Sequence, residues 1–294
     1  MVGKNSVATQ PSTGEIIRLD TLSPVSRARH LLLDWDGCLV ERGALKHGAQ
    51  RLLRLAAGRV SVVSNNSTDT PASLSQLLAR HGVHVPPAQF FLAGDVTLQL
   101  VAARAGQSPV CLLANKTMEN HARSLGIRLG RRSAREVVLL RDTSFSFEKL
   151  DRAANLLRAG ARLSVANPDL THPCGDRVTP ETGALLAALM SCVDVTKVDV
   201  SIVGKPSPTL FERALAAAQC GANQVVMIGD GPSTDIAGAD RLGIPAVRIG
   251  GQSGVTLDDV IRALPANSSD AVARAHDPTA QDRDGARTAQ LVDP

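Results

Sequence analysis

Short apolar runs alternate with stretches of helical spacing along most of the chain. His30–Leu33 is a mostly apolar run that predicts a buried strand, and Ala49–Ala57 follows with helical spacing. Arg59–Val63 (RVSVV) predicts a second strand. Thr70 and Pro71 read as N-cap and first residue of a helix, with Leu74, Leu77 and Leu78 on one face and Gly82 as its stop. The same grammar returns late in the chain. Ser207-Pro208 opens a helix whose stripe is Phe211, Ala214, Leu215 and Ala218, closed by Gly221. Gln224–Ile228 (QVVMI) reads as a buried strand, followed by a glycine-containing turn, a helix to Leu242 and a strand over Ile244–Ile249. In the middle, Val110–Leu113, Val137–Leu140 and Arg162–Ala166 read as strands, and Met118–Leu125, Phe147–Leu157 and Gly183–Met190 as helices.

Continuous apolar strands between helices predict an α/β fold with a doubly wound parallel sheet. The middle section carries its own alternation, so it reads as a separate α/β domain inserted into a core, which the resemblance given below would make a cap. The boundaries expected are 28–84 and 199–265 for the core and 85–198 for the cap. Residues 1–27 read as a flexible N-terminal segment, and 266–294, poor in large apolar residues, as a disordered tail.

Composition narrows the function. The 294 residues are 44% hydrophobic and 20% charged, which suits a globular chain with a sizeable core. Aromatics are 2% and Tyr is absent, which argues against stacking bases on an aromatic platform. The net charge of +4 is spread along the chain, so no nucleic-acid partner is expected. Five cysteines, an odd number with no CxxC pair, argue against a disulfide framework or a zinc site. The N-terminus has no apolar h-region and no apolar stretch approaches a membrane span, so a cytoplasmic location without membrane contact is expected.

Four polar motifs stand at the ends of expected strands, where doubly wound sheets bind ligands. The first is Asp34-Trp35-Asp36-Gly37. Two carboxylates at i and i+2 on an extended segment point the same way and repel unless a cation or a shared proton compensates. The second is Ser64-Asn65-Asn66-Ser67, with hydroxyl, amide and main-chain donors suited to phosphate oxygens, although in isolation a plain Asx or ST turn before a helix is the commoner use. The third is Gly204-Lys205-Pro206, where Lys205 could set a compact charge against a phosphoryl group. The fourth is Gly229-Asp230-Gly231-Pro232-Ser233-Thr234-Asp235, whose hard oxygens suit Mg²⁺, although Asp235 near a helix start also has a dipole reason.

In this order the four motifs resemble the haloacid dehalogenase-like (HAD) superfamily of phosphohydrolases, over about residues 30–265. The resemblance implies Asp34 as nucleophile, forming an aspartyl-phosphate, and Asp36 as the acid for the leaving group and base for water. It implies Ser64 and Lys205 on the transferring phosphoryl group. It also implies Mg²⁺ held by Asp34, Asp230, the main-chain carbonyl of Asp36 and, directly or from behind, Asp235. The stretches SNNS, SFSFEKL, GKPSP and Asn167-Pro168-Asp169 resemble the p-nitrophenylphosphatase and pyridoxal phosphatase branch. There, Asn65, Asn66, Asn167 and His172 become expected substrate contacts, and a homodimer through the cap is an open partner. Arg141-Asp142 departs from the glycine-containing stretch of that branch, and Trp35 is bulkier than the usual aliphatic residue. The expected activity is hydrolysis of a small phosphorylated metabolite. A phosphotransferase or mutase, and a non-catalytic binding protein on the same scaffold, are the alternatives.

Overall fold

The computed structural model describes residues 21–130, 133–174 and 177–265. The expected tail over 266–294 and the first twenty residues lie outside them. Residues 21–27 are helical rather than irregular, because Leu22 and Val25 find an apolar surface and are buried.

Two parallel sheets organise the chain. The first comprises β1 (His30–Leu33), β4 (Val60–Ser64), β5 (Phe90–Leu92), β12 (Val225–Gly229) and β13 (Ala246–Arg248), in the order β13-β12-β1-β4-β5. The second comprises β6 (Val110–Leu113), β7 (Glu136–Leu139), β8 (Arg162–Val165) and β11 (Val200–Ile202), in the order β11-β8-β7-β6. Two small antiparallel hairpins, β2 (Val40–Glu41) with β3 (Ala44–Leu45) and β9 (Thr171–Cys174) with β10 (Arg177–Pro180), complete the strands. The α/β class with parallel sheets is as the alternation predicted.

Hydrogen bonding moves both seams between the sheets. Phe90–Leu92 pairs with β4 and belongs to the first sheet, although its sequence position lay within the expected insert. Val200–Ile202 pairs with β8 in the second sheet, although it lay within the expected core. Periodicity cannot assign a three-residue strand to one of two sheets; only its neighbour can.

The helices follow local rules. In α2 (Pro71–Arg80), after α1 (Ala49–Leu55), Thr70 and Ser73 cap each other reciprocally and Pro71 takes the first position. Helix α3 (Ala93–Ala105) was not foreseen. Seven of its residues are buried, so it lacks the polar face by which a surface helix shows itself. Helices α4 (Lys116–Ser124), α5 (Phe147–Arg158) and α6 (Thr182–Met190) flank the second sheet, and α7 (Thr209–Ala218), α8 (Ala237–Asp240) and α9 (Leu257–Ala263) the first.

The carboxyl ends of the two sheets meet. After β6, Asn115 Nδ2 donates to the Thr68 carbonyl (3.0 Å); after β7, the Arg141 N–H donates to Ser67 Oγ (3.1 Å). After β8, Asn167 Nδ2 donates to the Asn65 carbonyl (2.8 Å). Three successive strand ends of the cap thus dock on one core loop, residues 65–68, and the motifs face the seam.

Candidate active site

β1 is central in its sheet, with β12 on one side and β4 on the other. Its carboxyl end is a switch point, and Asp34 stands there, buried, its N–H bonded to the Ile228 carbonyl (2.9 Å). Lys205 reaches the same place from the far end of the chain. Its Nζ donates to Asp34 Oδ1 (2.6 Å), Asp235 Oδ1 (2.5 Å) and the Val63 carbonyl (2.8 Å), so all three ammonium protons are used. The lysine side chain is 2% exposed.

Electrostatics follow from that burial. Desolvation alone would lower the Lys205 pKa, but the carboxylates of Asp235 and Asp34 overcome it and hold the ammonium above its ordinary range. Burial pushes the Asp34 carboxyl well up, Asp235 adds to the push, and Lys205 opposes it. Burial also raises Asp230, again reinforced by Asp235. Carboxylate oxygens of Asp34, Asp230 and Asp235 lie within 4.8 Å of one another. Three acids balanced by one lysine leave an excess of negative charge. An oxygen-only donor set with surplus charge is what a hard divalent cation requires. Gly37 is needed beside it, with φ of 83° and an ideal Cβ that would fall 2.7 Å from Asp230 Cγ.

Asp36 sits differently from the i, i+2 expectation. The strand ends at Leu33 and a turn begins at Trp35, so alternation stops. Asp34 points into the interior, while Asp36 is exposed to the cleft and its carboxylate is not part of the acidic trio. The cleft walls still desolvate it enough to raise its carboxyl above the usual range, against the charges of Lys205 and His172 and with those of Glu181 and Asp69. Trp35 fills core space: it is buried and meets Phe90 edge-on at 6.2 Å between ring centroids. Cys38 is buried too, its thiol pushed well up by desolvation, which suits packing.

Ser64 ends β4 and is buried, its Oγ accepting from the Asn66 N–H (3.1 Å). Three asparagines expected against substrate are joints of the protein instead. Asn65 Oδ1 accepts from the Lys205 N–H (2.7 Å), and its Nδ2 donates to Asp169 Oδ2 (2.9 Å) and the Lys205 carbonyl (3.0 Å). Asn66 Oδ1 accepts from the Thr68 and Asp69 N–H groups, and its Nδ2 donates to Asp69. Asn167 is 1% exposed and bonds Asn65, Thr182 and Asp169. Amides at a seam of two sheets meet main-chain groups first, because both sheets end in unpaired donors and acceptors there. His172, from β9, lies on the cleft side, its Nδ1 2.6 Å from Glu181 Oε1.

A buried lysine bonded to two of three converging acids, at the switch point of a parallel sheet under a second sheet, defines an α/β enzyme with an acidic centre suited to a divalent cation. The comparisons agree. A family model described as haloacid dehalogenase-like hydrolase matches residues 31–128, and one described as HAD-hydrolase-like matches 202–275. A dihydroxyacetone phosphatase from Corynebacterium glutamicum is 30% identical over 237 residues, covering 80% of this chain and 84% of that protein. The structure of p-nitrophenyl phosphatase from Archaeoglobus fulgidus superposes with TM-score 0.71 at 22% identity, over 84% of this chain and 99% of that one. Glycerol phosphate phosphatase from Mycobacterium tuberculosis, solved in complex with magnesium, gives 0.69 at 24% identity over 79% and 77%. The chain belongs to the haloacid dehalogenase-like hydrolases, in the branch that resembles p-nitrophenyl phosphatases.

Proposed function

We propose that the protein is a Mg²⁺-dependent phosphatase of small phosphate monoesters, working through an aspartyl-phosphate on Asp34. The observation that carries this is Lys205, buried and bonded to Asp34 and Asp235 beside Asp230. The donor set fits a divalent cation: Asp34, Asp230, Asp235 and the Asp36 carbonyl would hold it. Bound there, Mg²⁺ supplies compensation for charge between the anionic phosphate and the anionic nucleophile. The magnesium complex of the glycerol phosphate phosphatase supports the same choice of metal.

Asp34 Oδ attacks phosphorus, and the bond from phosphorus to the leaving oxygen breaks. Lys205 orients the attacking carboxylate and stays protonated throughout, since its neighbours hold its proton firmly. Asp36, in the cleft with a raised carboxyl, gives its proton to the departing oxygen. It then takes a proton from water, which attacks the aspartyl-phosphate and frees Asp34 and inorganic phosphate. Ser64 offers its hydroxyl to the phosphoryl group.

The test is hydrolysis of an aryl phosphate with Mg²⁺. Asp34→Asn removes the nucleophile and keeps the shape, and kcat should fall by about 10³-fold or more. Turnover close to that of the unaltered protein would sink the assignment. Transfer of the phosphoryl group to added alcohols in preference to water would favour the phosphotransferase alternative.

A further inference from the structure

Lys46 leaves the β2–β3 hairpin and turns back toward the strand end that carries Asp34. Its N–H donates to the Leu39 carbonyl (2.9 Å), and its Nζ donates to the Gly37 carbonyl (2.8 Å). The side chain is half-buried. Gly37 is thereby held at both of its peptide groups. On one side its N–H donates to the Val40 carbonyl (2.8 Å), and on the other Lys46 takes its carbonyl. The N–H and the carbonyl of one trans peptide share a plane and point opposite ways. The Asp36 carbonyl belongs to the same peptide as the Gly37 N–H, so it points away from Val40. A glycine at φ 83° has little else to stop rotation between its two planes. Gly37 also lies against the acidic trio, an ideal Cβ falling 2.3 Å from Asp230 Oδ2. Movement of this turn therefore moves the Asp36 carbonyl relative to Asp230.

The Lys46 charge reaches the same acid. Burial raises the Asp230 carboxyl and Asp235 adds to the rise, while Lys205 and Lys46 oppose it. Charge and hydrogen bond predict opposite things for a cation bound there. By charge alone, an ammonium beside the site repels the cation, and its loss would tighten binding. As a tie on the turn that presents a ligand, it supports the cation from outside the ligand set, and its loss would loosen binding. The contact Lys46 makes is on the turn, at a main-chain carbonyl.

We propose that Lys46 is a positioning residue of the cation site, locking the turn at Gly37 so that the Asp36 carbonyl is presented beside Asp230. The assignment rests on the Mg²⁺ reading above and adds to it a residue that none of the four motifs contains.

The experiment titrates Mg²⁺ against the thermal unfolding midpoint of the full chain and reads the concentration that gives half the maximal shift. Lys46→Met keeps an unbranched stem and removes both donor and charge. It should raise that concentration about tenfold, and the Mg²⁺ needed for half-maximal hydrolysis of phenyl phosphate should rise with it. Lys46→Arg keeps donor and charge and should stay within about threefold of the unaltered protein. Unfolding without Mg²⁺ reports whether each variant folds. Should Lys46→Met not fold, Lys46→Gln, neutral and shorter, carries the same prediction. Equal or tighter binding in the neutral variant would overturn the assignment, and so would a loss in Lys46→Arg as large as that in Lys46→Met. A lower midpoint without Mg²⁺ and an unchanged half-shift concentration would also overturn it, leaving Lys46 a tie of the fold alone. In each of these cases an upward shift in the unaltered protein leaves the Mg²⁺ reading standing. No shift in the unaltered protein would overturn both.

Discussion

Lys205 holds two carboxylates together in the interior, and its removal leaves them facing each other without a counter-charge. Lys205→Gln should therefore cost both stability and activity. Breaking a buried pair by removing one partner costs about 3–5 kcal/mol, and losing a charge aimed at the reacting group costs about 10²–10³ in kcat. Urea unfolding and steady-state kinetics on the same preparation check the two together. A variant as stable and active as the parent would mean that the lysine is incidental to the acids around it. At this scale the site was legible because each acid or lysine stands at the tip of an apolar run, where folding alone has no use for it. Asp36 was misoriented in that reading, since its direction depends on where strand turns to loop, one residue after Asp34. Arg141 showed in the sequence only as a departure from a pattern. Its contacts, Glu181 and Ser67, are forty residues later and seventy-four earlier.

Between elements, the pairing of β1 with β4 carries a titratable contact the motifs do not use. His30 and Ser61 are both buried, with His30 Nε2 2.9 Å from Ser61 Oγ. Burial lowers the His30 pKa and the charge of Arg59 lowers it further. A lowered histidine is neutral in the fold and binds its proton more readily in the unfolded chain. Its contribution to stability is therefore whole above the unfolded value of about 6.5 and is lost as pH falls below that, through the folded value. Stability measured by urea at pH 7.5 and pH 5 should fall on acidification, and His30→Gln, which keeps a polar group near Ser61, should shrink the fall. An undiminished fall in the variant would place the effect on other groups. Elements with a clean period were legible from sequence. Helix α3, buried on most sides, and the β9–β10 hairpin, with Pro173 and Pro180 in its strands, were not, because neither presents the alternation that marks a half-buried element.

For the whole molecule, two parallel sheets are welded at their carboxyl ends through hydrogen bonds to the 65–68 loop, and the acidic trio lies beneath the weld. Asn65 touches both sides at once: Lys205 behind it and Asp169 of the cap in front. The recurring alternation led to an expectation of one α/β unit inserted into another, but the seam between the two sheets was not legible, since it depends on pairings between residues 47 to 104 positions apart. Without a cation, Asp34, Asp230 and Asp235 crowd three carboxylates into 4.8 Å against one ammonium. A divalent ion that binds the folded chain and not the unfolded one must then raise the unfolding midpoint. At a hundred times its dissociation constant the gain is about 2.7 kcal/mol. Thermal unfolding of the full chain should shift upward and saturate with millimolar Mg²⁺, and EDTA should reverse the shift. In Asp230→Asn one hard anionic donor is gone while the pair of Lys205 with Asp34 and Asp235 remains, so most of the shift should vanish with the fold intact. An equal shift in both proteins, or none in the parent, would show that the trio is not where the cation binds.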